Sequence, residues 1–418
     1  TILIDRGARI EAEAKDKGTP LHVAAYYNSD KVATILIDRG ANIEAEAKDK
    51  ATPLHVAAQE NSDKVATILI DRGANIEAEQ KDKWIPLQIA AQYNSDKVAT
   101  ILIDRGANIE EEAKDKGTPL HLAAWNNSDK VATILIDRGA NIEAEAKDKG
   151  TPLHIAAAMN SDKVATILID RGANIEAEAN DKGTPLHFAT QENSDKVATI
   201  LIDRGANIEA EAKDKWTPLH VAAYYNSDKV ATILIDRGAN IEAEAKDKWT
   251  PLQIAAQYNS DKVATILIDR GANIEAEQKD KWTPLHLAAQ YNSDKVATIL
   301  INSGANIEAK AKDKWTPLHT AAWKNSDKVA TILIDRGANI EAEAKNKWTP
   351  LHLAAYYNSD KVATILIDRG ANIEAVGKDK GTPLHVAAAM NSDKMATILI
   401  DRGANIEAVG KDKMTPLH

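Results

Sequence analysis

The sequence predicts an all-α solenoid of helix-turn-helix units with projecting loops or short β-hairpins, and three observations carry that prediction. Thr19-Pro20-Leu21-His22 recurs in near-identical form every 33 residues, as far as Thr415-Pro416-Leu417-His418. All 13 prolines and all 11 histidines lie in these copies, with Gln88 and Gln253 replacing the imidazole in two of them. Between copies, apolar residues keep helical spacing, as with Val65, Ile68 and Leu69 at i, i+3 and i+4. A strict period of this length marks stacked units, none of which can bury its apolar face alone.

The unit from Lys50 to Asp82 explains each element in turn. Thr52 can cap a helix with its hydroxyl, and Pro53 suits the first helical position, where a missing N–H costs nothing. Leu54, Val56, Ala57 and Ala58 give a short helix whose alanines permit close approach to a neighbour. Asn61 is placed to end it in the left-handed conformation. Ser62 is expected to cap the second helix, with Asp63 near its positive end. Val65, Ile68, Leu69 and Ile70 are the expected core, and Arg72 and Gly73 close the helix. Ala74 to Lys83 is too short and polar for a third helix and reads as a loop or hairpin projecting sideways.

Domain organisation follows from the repeat. Residues 1–418 read as a single continuous array, with a partial unit at 1–17, twelve complete units at 18–413 and the start of another at 414–418. At helix spacings of about 8–10 Å, twelve units would make a curved rod roughly 100–120 Å long. The chain has no initiator Met and is cut inside a unit at both ends, so a fragment of a longer array is expected.

Here the unit resembles the ankyrin repeat. Thr118 to Ala124 (Thr-Pro-Leu-His-Leu-Ala-Ala) matches that family's first-helix motif, and Ile101 to Ile109 is similar to its second helix and following turn. The chain departs from the family pattern where Lys50 replaces a usual Gly, Asn28-Ser29 a usual Gly-His, and Ala47 a common Asp. The resemblance implies a binding scaffold whose loop tips and first helices face a concave groove.

Composition removes several classes of function. With no cysteine there are no disulfides, thiolate nucleophiles or thiolate metal sites, which fits a reducing, cytoplasmic compartment. No apolar run approaches the roughly 18 residues of a membrane span, and no signal sequence is visible. The net charge of −10 is finely mixed in sign within every unit, so no positive stripe exists for nucleic acid.

Variation between units is concentrated. It lies before the Thr (Gly18, Ala51, Trp84, Gly117, Trp216, Met414), after the His (Val23, Ile89, Leu122, Phe188, Thr320) and at the end of the first helix. All 8 Trp and 9 Tyr lie at the loop tip or at that helix end. Such side chains combine large contact area with a polar handle, as interface anchors do. The candidate protein-contact residues are therefore Tyr26, Tyr27, Trp84, Tyr93, Trp125, Tyr224, Tyr225, Trp249, Trp282, Tyr291, Trp315, Trp323 and Trp348. The competing explanations are a tryptophan ladder from Trp216 to Trp348 that stiffens the solenoid, and drift after duplication.

No residue pattern points to catalysis, a cofactor or a metal. The histidines come one per unit, ~10 Å apart, too far to share an ion. Glu77 and Glu79 repeat in nearly every unit, whereas a catalytic carboxylate pair is singular and buried; these are expected to be solvated. Asn302, Ser303 and Lys310 make one stretch less acidic than its copies. The expected partner is a protein or peptide on the concave face. The alternative is other copies of the chain, joined head-to-tail or laterally into filaments, since Ile2, Leu3, Ile4, Ile398, Leu399 and Ile400 leave both ends without polar caps.

Overall fold

A computed structural model describes residues 2–278 and 280–417, apart from the side chains of Leu3 and Asp412. His418 and the Leu3 side chain therefore lie outside the described residues. The chain forms two compact units, Thr1–Lys213 and Asp214–His418. In each, a 7- or 8-residue helix such as Pro53–Gln59 alternates with a 9-residue helix such as Asp63–Asp71. Among the described residues there is no strand. The projections are tight turns, closed for instance by Ala47 N–H donating to Ala51 C=O at 3.0 Å. Neighbouring turns are tied by single backbone bonds, such as Lys81 N–H to Asp49 C=O at 2.8 Å.

The core of a repeat is Leu54, Ala57 and Ala58 from the first helix against Val65, Ala66 and Leu69 from the second, all essentially free of solvent. Ile68 and Ile70, expected at the centre, are only half-buried. The buried face of the second helix runs through i, i+1 and i+4. This places Ala66 against the first helices and turns Ile68 and Ile70 toward the flanks. The small residue there lets the two helix layers approach closely.

Two non-glycine positions recur in left-handed backbone from repeat to repeat, and Asp214, Asp247 and Asp313 add a third in their repeats. Asn61 is left-handed at φ 54°, as its terminator role predicts, and Lys50 at φ 64°. Lysine at that place is conformationally costly, by about 1 kcal/mol or more. The turn keeps it because Asp49 accepts from Ala51 N–H at 3.1 Å and Lys50 N–H donates to Ala47 C=O at 2.9 Å.

Candidate protein-binding face

The loop tip, the Thr-Pro-Leu-His turn and the end of the first helix form one edge of each repeat, and the histidine organises it. His55 Nδ1 lies 3.1 Å from Thr52 N–H and 2.9 Å from the Thr52 hydroxyl, while Nε2 lies 3.1 Å from the Trp84 carbonyl of the next repeat. A carbonyl only accepts, so Nε2 carries the proton and Nδ1 accepts from the helix cap. The third helical residue thus reaches back to the cap, as in a capping box, while its far side holds the following loop.

Gln88 and Gln253 reproduce this polarity. Gln253 Oε1 accepts from Thr250 N–H at 3.0 Å, and its amide donates to Ala276 C=O at 2.9 Å. Gln88 bridges Ile85 N–H and Glu111 C=O in the same way, both at 3.0 Å. Glutamine therefore keeps the acceptor and donor order of the neutral imidazole, with its amide on the carbonyl 23 residues on in place of the tip carbonyl 29 residues on. Burial lowers the pKa values of His55, His121, His154 and His352 below the ordinary range, and for His286 and His319 it pushes them down to about 4.

Asn61 couples repeats more directly than its terminator role foretold. Its Oδ1 accepts from Lys97 N–H (3.1 Å) and Val98 N–H (3.2 Å) at the start of the next repeat's second helix. Its Nδ2 donates to Asp96 at 2.9 Å. The equivalent Asn28 amide holds the Asp63 carboxyl below the usual carboxylate range. The helix after Ser62 is therefore capped by an asparagine one repeat back. Serine occupies the N-cap position with no cap hydrogen bond from its side chain. Where serine hydroxyls donate, they reach backwards, as Ser194 does to Ala158 C=O at 3.0 Å. The serine itself is buried, 1% exposed at Ser62.

The glutamates also have a structural role. Glu77 is half-buried and accepts from Asn108 N–H of the next repeat at 2.8 Å, and burial raises its pKa; Glu79 is exposed. On the second helices, Arg72 pairs with Asp38 and Arg105 with Asp71, both at 2.6 Å. Asn302 preserves one rung by accepting from Arg336 at 2.6 Å, whereas Ser303 carries no guanidinium to offer Asp269.

The candidate aromatics divide into two groups. Tyr26, Tyr27, Tyr93, Trp125, Tyr225 and Tyr291, all at helix ends, are exposed, from 45% for Tyr291 to 71% for Tyr27. The tip residues Trp84, Trp249, Trp282, Trp315 and Trp348 are half-buried, as are the helix-end residues Tyr224 and Trp323. Ring contacts run from tip to helix end. Trp323 lies 5.8 Å from Trp315 and 6.1 Å from Trp282, and Lys324 Nζ sits 3.9 Å over its ring. Neighbouring pairs include Tyr26–Tyr27 at 4.9 Å and Tyr224–Tyr225 at 4.6 Å.

Four more aromatics join these contacts: Tyr258 lies 4.2 Å from Tyr224, Trp216 5.6 Å from Tyr224, Tyr356 5.5 Å from Trp348, and Tyr357 6.1 Å from Trp323. They occupy the same repeat positions as the candidates, so the period alone was enough to include them.

A tip tryptophan also decides what lies beneath it. Wherever the tip is Trp, the residue after the His or Gln is buried: Ile89, Val221, Ile254, Leu287, Thr320 and Leu353. Where the tip is Gly or Ala, that residue keeps solvent access, as at Val23, Val56, Leu122, Ile155, Phe188 and Val386. Two clefts open in the first unit near such tips. One of about 730 Å³ lies at Gly18 and Ala51, and one of about 940 Å³ lies at Gly117.

Among the described residues, no group of three or more His, Asp or Glu is placed to hold a metal ion, and no helix is long and apolar enough to cross a membrane.

The family model described as ankyrin repeats (3 copies) matches residues 1–80, 73–146, 143–212, 206–278, 275–344 and 337–410. The chain belongs to the ankyrin-repeat family. Among solved structures it is similar to the human ASB11 ankyrin repeat domain, at 26% identity and a TM-score of 0.48, over 53% of this chain and 99% of that one. No curated protein matches it. Ankyrin repeats are generally protein–protein interaction modules, and their fold is generally a non-enzymatic scaffold.

Proposed function

We propose that this ankyrin-repeat chain is a non-enzymatic scaffold that holds a protein or peptide on its aromatic-rich face, the face the family resemblance makes concave. One observation carries the reading: the helix-end aromatics, Tyr224 and Trp323 excepted, are exposed although large apolar rings are costly to leave in water. Their surroundings suit an interface. Tyrosine and tryptophan anchors stand beside polar Gln92, Asn126 and Lys324, and the asparagine and histidine networks hold the helices that present them.

Replacing Tyr93 and Trp125 together by Ala tests this. The expected result is weaker partner capture in a quantitative cross-linking comparison, with the melting midpoint unchanged. Replacing Trp282 and Trp315 by Ala should instead lower the midpoint, because Leu287 and Thr320 lose their covers. Capture that survives the first pair at full strength would sink the proposal. Electron microscopy across a dilution series addresses assembly: filaments with a period commensurate with the repeat would make the chain its own main partner.

A further inference from the structure

We propose that the cleft at Gly117 is a slot for an aromatic side chain, an indole above all, carried by a partner segment with acidic flanks. It rests on the binding-face reading above and gives that face a ligand chemistry.

The argument is a comparison of the chain with itself. In six repeats the tip residue is Trp, and the residue following the His or Gln is buried. Tip indoles also lie near the imidazole of their own repeat, with ring centroids 5.8 Å apart for Trp282–His286 and 6.0 Å, stacked, for Trp348–His352. At Gly117 the same position has no side chain. His121 and Leu122 line an open cleft there, with Ile155 from the next repeat and the indoles of Trp84 and Trp125. Four other repeats also have Gly or Ala tips in the first unit, but of the two clefts described the larger is the one with indoles in its lining.

The turn at Gly117 matches that of the Trp348 repeat, whereas before Trp216, Trp249 and Trp315 the backbone differs, with Asp214, Asp247 and Asp313 left-handed. Gly117 N–H donates to Asp115 at 3.2 Å, and Trp348 N–H makes the same bond to Asn346 at 3.2 Å. The position is thus shaped for an indole that its own repeat does not supply. Charge selects the flanks. Lys81, Lys83, Lys114 and Lys147 line the cleft against Asp82 and Asp115, an excess of positive charge on a chain whose net charge is −10. A segment with carboxylates on either side of its aromatic residue fits that rim.

The test uses the full chain and three peptides: acetyl-Glu-Glu-Trp-Glu-Glu-amide, its Ala counterpart, and the version with Lys flanks. Binding is followed by the methyl NMR signal of Ile155, which reports on this cleft alone. The acidic Trp peptide should shift that signal to saturation, with the other two at least tenfold weaker. Gly117→Trp fills the slot in the manner of six other repeats. The nearest atom to a new Cβ is the Asp115 carboxylate at 3.2 Å, a side chain that can move. This variant should bind tenfold or more weakly, with a melting midpoint equal to or above that of the wild type. Gly117→Ala should bind within about twofold of wild type. Should Gly117→Trp fail to fold, Lys114→Glu with Lys147→Glu gives an independent reading, again tenfold weaker.

Equal binding of the Ala peptide, or unchanged binding by Gly117→Trp or by the double Lys variant, overturns the slot. A peptide that shifts signals around Tyr93 and Trp125 but leaves Ile155 unmoved also overturns it, while the binding-face reading stands. Capture lost on replacing Tyr225 and Tyr291 by Ala, residues that do not line the cleft, bears on that face and not on the slot.

Discussion

Acid should loosen this chain through its histidines, and replacing two of them by glutamine should remove a calculable part of the effect. His286 and His319 are enclosed between helices with Nδ1 against a backbone N–H, at 3.3 and 3.2 Å. Protonation would set N–H against N–H there. Burial, opposed only in part by the carbonyls of Trp315 and Trp348, brings both pKa values from 6.5 to about 4. Between those values the unfolded chain binds protons that the native one does not, so stability is complete above about pH 6.5 and falls as pH falls toward 4. At ~1.4 kcal/mol per tenfold, each group forfeits roughly 3 kcal/mol by pH 4 and about 2 kcal/mol by pH 5. His286→Gln with His319→Gln preserves acceptor and donor as Gln253 does. Urea melts of wild type and double variant at pH 7.5, 6, 5 and 4.5 provide the assay. Carboxylates titrate alike in both proteins and cancel in the difference. The two should melt nearly together at pH 7.5, and the variant should lead by several kcal/mol at the acid end. Parallel curves would refute the tautomer assignment and the pH argument built on it.

Two further outcomes are expected. Asn325→Ala removes the bonds to Val362 N–H (3.1 Å) and Asp360 (3.0 Å) and puts Ala at φ 55°, so it should cost about 2–3 kcal/mol in urea melts. Asn325→Gly relieves the backbone and should cost less. Lys248→Gly, at φ 66°, should raise stability by about 0.5–1 kcal/mol, left-handed strain outweighing glycine's entropy in the unfolded chain; a lower melting midpoint would contradict that.

The helices were legible in the residues themselves. Proline at the first helical position, apolar spacing, Asn at the left-handed end and Gly after the second helix each have a local cause, and each sits where that cause puts it. What could not be read locally was anything that crosses a repeat. Ser62 has the right chemistry for a cap, but an asparagine one repeat back performs the task. Glu77 looks solvated until Asn108 N–H is placed against it. Ile68 satisfies the helical stripe, yet Ala66 lies deeper because two helix layers meet at that point. The aromatic positions were identifiable from variation between units. Their division into covers at the tips and exposed rings at the helix ends required coordinates, since it depends on whether a neighbouring position holds Trp or Gly.

The joints between repeats have one more consequence. Asn28 meets Asp63, 35 residues on; Arg72 meets Asp38, 34 residues back; His22 reaches Ala51, 29 residues on. Apart from Gln88 and Gln253, whose amides reach 23 residues on, and Ser303, which lacks a guanidinium, each repeat carries both halves of these joints at constant offsets. Excising or duplicating any whole 33-residue segment brings together the same pairs of groups as before, wherever the cut falls. An insertion of any other length misplaces all of them at once. Unequal recombination between copies is therefore mechanically silent in this molecule, and array length can vary by whole repeats without a single compensating substitution.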